Sequence, residues 1–474
     1  MAARSRVLVL HAPIAAGHTM AARALAEGLN AAGAQVYLED ALAFAPAWWR
    51  RLVMAYAWVG VHYLPGALGK NYYLTSRHLR GPADALRRWS HEMADAELVR
   101  FVRGLAPDAI VATYPLIAAT LCQMRLDGRL QSPVYLVVTD RYAHRSWFEP
   151  GADGYFVEGD TVFQQLRSYG VPEEKIHRTG IPIRRGIVER SRAVDREREE
   201  SGGRTGPANV LVAFGGWGNG PLEEVVRSFG PARIGAAPWR ARRANGANGA
   251  NGHAHGANGS NGANGSNGGG AVHRPDGSSG PTGDGHAEGA ARAERELHLT
   301  IVCGRNRRAA ERLRALQEKN VIPAATIHGY VEDFPALLAD ADVVVTKPGG
   351  ISVAEVFAAG RPLCLVRPDP GQEDANFVHA LECGAAIGIP QPGDAGLRVR
   401  ALLADWRRYQ QLRMAGLAVA HPRAADEAAA VLLDRLREGA AAADAAASRA
   451  GELGGRSAHH GAAAPSLRAA LRSH

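Results

Sequence analysis

From residue 6 to about residue 187, short aliphatic runs alternate with longer segments of helical periodicity. Such runs are typical of strands that are buried on both faces of a parallel sheet. A helical pattern such as that of residues 19–32 supplies the crossover that parallel strands need. The alternation therefore predicts a doubly wound parallel sheet. The predicted strands are residues 7–10, 36–38, 109–112, 134–138 and 154–157.

The same alternation starts again at Asn209 and runs through the second half of the chain. Two repeats of this kind predict an α/β protein with two Rossmann-like, doubly wound halves. The strands predicted in the second half are residues 209–214, 299–302, 326–327, 343–346 and 363–366.

Differences in composition along the chain predict its domain boundaries. We expect an N-terminal domain at residues 1–187, a charged linker at 188–207 and a C-terminal domain at 208–405. Helices are expected at 406–439, and a frayed helix or a flexible Ala/Gly/His-rich tail at 440–474. Residues 244–289 consist largely of Asn-Gly, Ala-Asn-Gly and Ser-Gly units, with almost nothing to bury. They predict a disordered insertion in a surface loop of the C-terminal domain.

The charge balance narrows the class of partner. The formal net charge of +8 over 474 residues favours nucleic acid, anionic lipid or a phosphorylated substrate. No nucleic-acid-binding motif accompanies this charge. The four cysteines lack metal-ligand spacing, so we predict reduced thiols and no metal site. No apolar run reaches 18 residues, and residues 7–10 fit a first strand better than a signal peptide.

A phosphate-binding turn is predicted directly after the strand at residues 343–346. Gly349 and Gly350 interrupt the strand, and Ser352 and Glu355 have the spacing of a capping box at the start of a helix. A helix N-terminus behind two glycines offers free N–H groups and a positive dipole end to a diphosphate. Glu355 is expected in the first helical turn, where its carboxylate would accept both hydroxyls of a ribose. An ordinary capped helix is the alternative.

A histidine lies where the first predicted strand meets its helix. His18 is therefore expected at the carboxyl edge of the sheet, where open α/β sheets bind ligands. The positive end of the helix lowers the pKa of an imidazole and keeps it neutral, as a general base requires. The alternative is a polar residue that only caps the helix.

Two more loops place polar or glycine residues at strand ends. Gly216 and Gly218 follow the first strand of the second half, where they would cradle a phosphate or form a tight turn. Asp140 and His144 follow the fourth strand of the first half, and Asp140 could orient a base or bind a hydroxyl. Trp147 in the same loop could line the path of an apolar acceptor, or could simply anchor the loop.

An aromatic and basic segment begins at Trp48. It includes Trp49 and Trp58, and residues 52–68 carry no Lys, Arg, Asp or Glu. Between positions 50 and 88 there are seven Lys or Arg residues and one acid. Apolar and aromatic surface beside basic charge is typical of a segment at the interface of an anionic membrane. A buried helix pair with a basic outer face is the alternative.

Several of these motifs recur together in one enzyme family. The residues that match are Gly17-His18, Val138-Thr139-Asp140 with His144 and Trp147, residues 171–184, Gly215-Gly216-Trp217-Gly218, residues 346–350 through Glu355, and residues 367–373 with Asn376. They resemble glycosyltransferase family 28, in particular the monogalactosyldiacylglycerol synthases and the bacterial diacylglycerol glucosyltransferases. A more distant likeness is to the N-acetylglucosaminyltransferase of peptidoglycan lipid assembly. One departure is Pro13-Ile-Ala-Ala16, since the family carries glycines just before its Gly-His pair.

The resemblance implies a GT-B fold, in which two Rossmann-like domains face each other across a cleft. It implies a UDP-hexose donor held by the C-terminal domain and a diacylglycerol acceptor held by the N-terminal domain. It implies inversion at the anomeric carbon without a metal or a cofactor, with His18 as the base and Asp140 beside it. The donor-site residues that it implies are Gly216, Gly218, Val331 at the uracil, Gly349, Gly350, Ile351 and Ser352 at the diphosphate, Glu355 at the ribose, and Gln372, Glu373 and Asn376 at the sugar.

The leading hypothesis is a peripheral enzyme on the cytoplasmic face of the cell membrane that moves galactose or glucose from UDP to diacylglycerol. His144, Trp147, Trp48, Trp49 and Trp58 are the residues predicted to meet the acceptor or the anionic membrane surface. An enzyme of the same fold that uses UDP-N-acetylglucosamine, either a lipid-linked transferase or a 2-epimerase, is the alternative. An inactive binding protein is a third reading. The sequence leaves the choice of sugar and the oligomeric state open.

Overall fold

Two parallel β-sheets form the framework of the protein. This computed structural model describes residues 4–14, 16–63, 96–202, 206–218, 220–230, 296–368, 371 and 373–458. Within them each sheet has six strands, and both sheets belong to one compact unit. The strands are β1 (Arg6–His11), β2 (Gln35–Asp40), β3 (Ala109–Ala112), β4 (Val134–Val137), β5 (Gly154–Val157), β6 (Ile176–Arg178), β7 (Ala208–Ala213), β8 (Leu297–Val302), β9 (Ala325–His328), β10 (Val343–Thr346), β11 (Leu363–Val366) and β12 (Ala386–Ile389).

The order of strands in each sheet reverses once. The N-terminal sheet has the order β2-β1-β3-β4-β5-β6, so the chain leaves β1 toward one edge and returns to the other side of β1. The C-terminal sheet has the order β12-β11-β10-β7-β8-β9, with the same reversal between β7 and β10. A reversal opens a crevice above the carboxyl ends of the two strands involved, and open α/β sheets bind ligands there.

Both faces of each sheet are covered by helices. In β1, Leu8 and the next residue, Val9, are fully buried in separate apolar clusters on opposite faces. Burial on both faces explains the continuous aliphatic runs. The described helices are α1 (Ala16–Ala31), α2 (Ala47–Tyr63), α3 (residues 96–105), α4 (Pro115–Leu126), α5 (Asp160–Ser168), α6 (Ile187–Glu200), α7 (Leu222–Arg227), α8 (Arg307–Glu318), α9 (Phe334–Asp340), α10 (Gly350–Ala358), α11 (Asp374–Glu382), α12 (Ala395–Ala404), α13 (Trp406–Ala418) and α14 (Ala424–Ala458).

The predicted α/β fold with two Rossmann-like halves is confirmed, and every predicted strand is present. Two strands were not predicted. Both β6 and β12 lie at sheet edges and are short, and only the first residue of β6, Ile176, is buried. Neither has a continuous aliphatic run, since β6 is Ile-His-Arg and a glycine interrupts β12, so both give a weak sequence signal.

The junction predicted as a linker, residues 188–207, is largely helical. Helix α6 packs against α9, and its first residue, Ile187, is fully buried in the core of the C-terminal half. Asp195 of α6 accepts a hydrogen bond of 2.6 Å from the buried guanidinium of Arg361. The prediction of a linker is therefore wrong up to residue 200, because the charges belong to the polar face and the ion pairs of a packed helix.

The C-terminal segment returns to the N-terminal sheet. Leu432 and Leu433 of α14 are buried in the same cluster as Val9 of β1. A β-carbon built on Gly28 of α1 would lie 2.7 Å from the carbonyl oxygen of Ala425, so a glycine is required where the two helices approach. Helix α14 extends through residue 458, so of the two alternatives for the tail, a helix or a flexible segment, residues 440–458 are helical; residues 459–474 lie outside the described part of the chain.

The predicted insertion at residues 244–289 also lies outside the described residues. Among the helices that the structure describes, none combines the length and the apolar character needed to cross a bilayer.

Candidate active site

The reversal points of the two sheets bring the candidate loops together. In the N-terminal sheet, His18 follows β1 and Thr113 follows β3. In the C-terminal sheet, the glycine loop that includes Gly216 follows β7, and Lys347 follows β10. Parallel strands end at the same edge of their sheet, so each pair of loops meets above one crevice.

His18 lies in the first turn of α1 and is held in one orientation. Its Nδ1 is 2.6 Å from the carbonyl oxygen of Thr113 and 3.2 Å from Oγ1 of Thr139. Because a carbonyl oxygen only accepts hydrogen bonds, Nδ1 carries the proton and Nε2 keeps its lone pair. The ring also packs edge-on against Tyr114, with 5.0 Å between centroids. The tautomer with the proton on Nδ1 leaves Nε2 able to accept a proton, as a general base requires.

The imidazole of His18 is neutral at physiological pH. Its side chain is only 7% exposed, and burial lowers its pKa from the ordinary 6.5 to about 4. The hydrogen bond to Thr113 raises the pKa and the neighbouring His11 lowers it, each by less than burial does. The neutral imidazole expected from the sequence is present, with burial rather than the helix end as the main cause.

Helix α10 begins earlier than the capping-box spacing predicts. Gly349 is its N-cap and Gly350 its first helical residue, so Ser352 is not the cap and Glu355 lies in the second turn. A β-carbon built on Gly350 would lie 2.1 Å from the carbonyl oxygen of Thr139. A side chain would therefore not fit at position 350, and the sequence alone does not reveal this contact.

Glu355, the predicted ribose ligand, is paired with an arginine. The carboxylate is 1% exposed and accepts hydrogen bonds of 2.6 and 2.5 Å from Nε and Nη2 of Arg184. The guanidinium of Arg184 also lies over the ring of Phe334, 4.7 Å from its centroid. A nucleotide could reach Glu355 only after Arg184 moved, so the role of Glu355 at the ribose stays a prediction.

Asn376, a predicted sugar ligand, bridges the two halves. Its Nδ2 donates to the carbonyl oxygen of Pro348 at 3.0 Å and to Oδ1 of Asp140 at 3.3 Å. Its Oδ1 accepts a hydrogen bond of 3.0 Å from the main-chain N–H of Arg141. Asn376 is completely buried, and it ties the loop after β4 to the loop after β10.

Other contacts also join the N-terminal half to the C-terminal half. Ile351 at the start of α10 packs with Ala21 of α1 and with Ile181. A β-carbon built on Gly216 would lie 2.7 Å from Cβ of Ala16, just before His18. The structure therefore shows the two halves in contact over the predicted diphosphate site.

The remaining predicted donor residues lie nearby in the C-terminal half. Gly218 has a φ of 64°, and a β-carbon there would lie 2.0 Å from the carbonyl oxygen of Cys303, so the glycine is needed for a tight turn. Val331 is partly buried against the apolar cluster around α10. Glu373 accepts a hydrogen bond from Lys347. Gln372 lies outside the described residues.

Three residues predicted to meet the acceptor or the membrane are internal instead. Trp147 is 3% exposed and belongs to the core of the N-terminal half, because its indole fills the space below its loop. His144 accepts a hydrogen bond of 3.0 Å from the N–H of Ser146, so it caps a 3-10 turn. Trp49 is 6% exposed.

The tryptophans of helix α2 differ in exposure, and their contact with a membrane stays a prediction. Trp48 is 51% exposed, as the prediction requires, whereas the neighbouring Trp49 is turned inward. Trp58 lies in α2, and its side chain is outside the described part of the structure.

Four residues in the site were given no role from the sequence. Thr113 and Thr139 orient His18, and Arg184 and Lys347 pair with the predicted carboxylate ligands. The sequence could have indicated the two threonines and Lys347 as site residues, because each lies at the end of a parallel strand of one of the two sheets. Among the described residues no group of three or more His, Cys, Asp or Glu side chains could hold a metal ion.

Two Rossmann-like halves whose reversal points meet over a shared site define the GT-B class of glycosyltransferases. Solved structures agree on the fold. The MurG structure of Acinetobacter baumannii has a TM-score of 0.53 and 16% identity, and the alignment covers 91% of this chain and 100% of that one. The UDP-GlcNAc 2-epimerase of Neisseria meningitidis, solved with UDP-GlcNAc, has a TM-score of 0.50 and 10% identity, covering 90% and 100%.

Sequence families identify the particular group. Residues 18–183 match the monogalactosyldiacylglycerol (MGDG) synthase family, and residues 286–392 match the glycosyltransferase family 28 C-terminal domain. The protein therefore carries an MGDG synthase domain in its first half and a glycosyltransferase family 28 C-terminal domain in its second half.

Two curated relatives carry the same name. A processive diacylglycerol beta-glucosyltransferase of Bacillus cereus (strain AH187) is 26% identical over 71% of this chain and 70% of its own length. The protein of the same name from Bacillus cytotoxicus is 27% identical, covering 69% of this chain and 68% of its own.

Proposed function

We propose that this glycosyltransferase moves a hexose from a UDP-sugar to the free hydroxyl of diacylglycerol, with inversion at the anomeric carbon. The observation that carries the proposal is His18: a buried, neutral imidazole whose Nδ1 is fixed by Thr113. Thr139, whose Oγ1 lies 3.2 Å from Nδ1 of His18, also contacts Gly350, so the imidazole is near a helix N-terminus that suits a diphosphate. The names of the relatives supply the acceptor class.

In the proposed reaction, Nε2 of His18 takes the proton of the lipid hydroxyl. The hydroxyl oxygen forms a bond to the anomeric carbon from the face opposite the nucleotide. The bond from that carbon to the diphosphate oxygen breaks, and UDP leaves with the electron pair. The free N–H groups at the start of α10 stabilise the negative charge that develops on UDP.

Donor binding requires the closed contacts to open. Gly350 touches Thr139, and Arg184 occupies the carboxylate of Glu355. We propose that the two halves separate to admit the UDP-sugar, with Glu355 then accepting the ribose hydroxyls. Closure around the bound donor would exclude water from the reacting centre.

The acceptor would be taken from a membrane surface. Trp48, Leu52 and Val59 are 51%, 51% and 41% exposed and lie on one face of α2, four and seven residues apart. Arg51, also exposed, adds positive charge beside this face, whereas Arg50 pairs with Asp40. An apolar stripe with an adjacent arginine fits an anionic bilayer surface, and we propose peripheral attachment to the cytoplasmic face of the membrane.

The test is transfer by the purified protein. Vesicles containing diacylglycerol are incubated with UDP-glucose, UDP-galactose or UDP-N-acetylglucosamine, and lipid products are identified by mass spectrometry and NMR of the anomeric proton. We expect a β-linked hexosyl diacylglycerol from UDP-glucose or UDP-galactose. Conversion of UDP-N-acetylglucosamine without lipid would favour the 2-epimerase instead, and no product from any donor would contradict the proposal.

Replacement of the base tests its role. His18→Ala should reduce the rate of transfer at least about a thousandfold, because positioned general bases contribute roughly that much. UDP affinity, measured by calorimetry, should change little. The matched control is His298→Ala. His298 hydrogen-bonds Thr326 near the amino ends of β8 and β9, away from the carboxyl ends that border the candidate site. Equal turnover in the His18 variant and the parent would contradict the assignment.

A further inference from the structure

Lys347 is the first residue after β10, at the reversal point of the C-terminal sheet. Its Nζ donates a hydrogen bond of 2.7 Å to Oε1 of Glu373, and both side chains are about one-third exposed. The position differs from that of an ordinary surface lysine, because β10 and its neighbour β7 end at the crevice between the two loops.

The surroundings place this ion pair between two glycine turns. A β-carbon built on Gly215 would lie 3.7 Å from Cε of Lys347. A β-carbon built on Gly349 would lie 3.7 Å from Oε1 of Glu373. The ammonium therefore stands between the glycine loop after β7 and the N-terminus of α10, which are the two parts of the site suited to phosphate.

The proposed reaction needs a cation in this place. Departing UDP carries two or more negative charges on its phosphates, while a helix N-terminus supplies only about half a positive charge. A metal ion often supplies the rest in phosphate chemistry. A lysine is the side chain that replaces such an ion as a compact point charge.

We propose that the Lys347 ammonium binds the diphosphate of the donor and of departing UDP, and that Glu373 is its partner only while the site is empty. This inference rests on the proposed function and deepens it. Donor binding then exchanges partners: the diphosphate replaces Glu373 on Lys347, and the freed carboxylate accepts hydroxyls of the sugar.

The arrangement predicts opposite effects for the two partners of the ion pair. Lys347→Met should lower the affinity for UDP about ten- to a hundredfold, as expected for a lost charge-assisted hydrogen bond. Glu373→Gln should raise UDP affinity several-fold, because it removes the competing carboxylate while UDP itself has no sugar for it to bind. If the pair only braced the loop, both substitutions would weaken UDP binding.

The experiment is titration calorimetry of the full-length protein with UDP and, separately, with uridine, which lacks the diphosphate. The variants are Lys347→Met, Lys347→Arg and Glu373→Gln, and Lys319→Met, at an exposed lysine after α8, is the matched control. We expect Lys347→Met to weaken UDP but not uridine, Lys347→Arg to retain most of the UDP affinity, and Lys319→Met to match the parent. Thermal melting checks that each variant is folded, and Lys347→Arg still tests the charge if the methionine variant does not fold.

Three results would overturn the inference. UDP affinity unchanged in Lys347→Met would mean that the ammonium does not meet the diphosphate. An equal loss for UDP and uridine would mean that Lys347 only shapes the pocket. A loss of UDP affinity in Glu373→Gln would favour the bracing role. Failure of the parent protein to bind UDP at all would instead remove the proposed function itself, and this inference with it.

Discussion

At the scale of single residues, the site depends on contacts that only very small side chains or main-chain groups can make. Gly350 lies against the carbonyl oxygen of Thr139, and Gly216 lies against Ala16. His18 is oriented by a main-chain carbonyl rather than by a carboxylate. Main-chain groups of neighbouring strands are rigid, so they fix a catalytic side chain without adding a charge that would change its pKa.

The contact between Ala16 and Gly216 can be tested with two substitutions, of which the second should compensate for the first. Gly216→Ala should place two β-carbons 2.7 Å apart, closer than β-carbons come in proteins, so the loops must separate. The φ of Gly216 is not in the left-handed region, so the alanine meets no backbone strain. We expect kcat/KM to fall about tenfold, in line with the 1–3 kcal/mol cost of overpacking.

A second substitution in the same chain should restore activity. Ala16→Gly removes the opposing methyl group, so the double variant should recover most of the parent kcat/KM. Gly104→Ala is the control, because a β-carbon built on Gly104 meets nothing within 4 Å. No recovery in the double variant would show that the loop after β7 needs its glycine for another reason.

At the scale of elements, α2 presents an exposed apolar face. Its exposed residues Trp48, Leu52 and Val59 share one helical face, while Trp49 turns inward. The sequence showed an aromatic cluster but not which ring faces outward, because that depends on how α2 packs beside β2. The packing thus assigns one of the two adjacent tryptophans to the core and the other to the surface.

Substitution on this face should weaken attachment to membranes. Trp48→Ser combined with Leu52→Ser should lower the partition of the protein onto anionic vesicles at least about tenfold, since each buried apolar side chain contributes roughly 1.5–3 kcal/mol. Co-sedimentation with vesicles measures the partition. Trp406→Ser is the matched control, because Trp406 is 50% exposed on the C-terminal half. An equal loss in the control would mean that the effect is not specific to α2.

At the scale of the whole molecule, two histidines near the contact between the halves are neutral in the folded protein. Burial lowers the pKa of His18 to about 4. Burial, and next the charge of Arg141 from the other half, lowers the pKa of His379 in α11 to about 4 as well. The stability of the contact between the halves should therefore depend on the pH in the acidic range.

Acidification should destabilise the fold in a defined window. Between pH 6.5 and about pH 4 the unfolded chain protonates these histidines and the folded chain does not, so stability falls as the pH falls. His18 alone should account for about 3 kcal/mol of the free energy of unfolding once the pH is below 4.

Urea unfolding at pH 7 and at pH 4.5 measures this loss. His18→Gln cannot titrate, so its free energy of unfolding should fall less than that of the parent over the same interval. Comparison with the parent removes the contribution of carboxylates, which titrate in both proteins. An identical pH dependence in parent and variant would show that His18 is not held neutral.

The sequence by itself determined the strands, their division into two halves and the strand-end loops that carry His18 and Gly350. Periodicity gives this information because a strand buried on both faces must be aliphatic along its whole length. Strands β6 and β12 were not predicted, because neither has an aliphatic run along its whole length. Helix α6 resembled a linker because its many charges hide a narrow buried face.

Only the tertiary structure decided how these loops pair. The reversal of strand order brings Thr113 to His18 and Lys347 to the glycine loop, although residues far apart in the chain are involved. It also placed Trp147 in the core and paired Glu355 with Arg184. Which side chain meets which depends on strand order and on burial, and neither is encoded in local spacing.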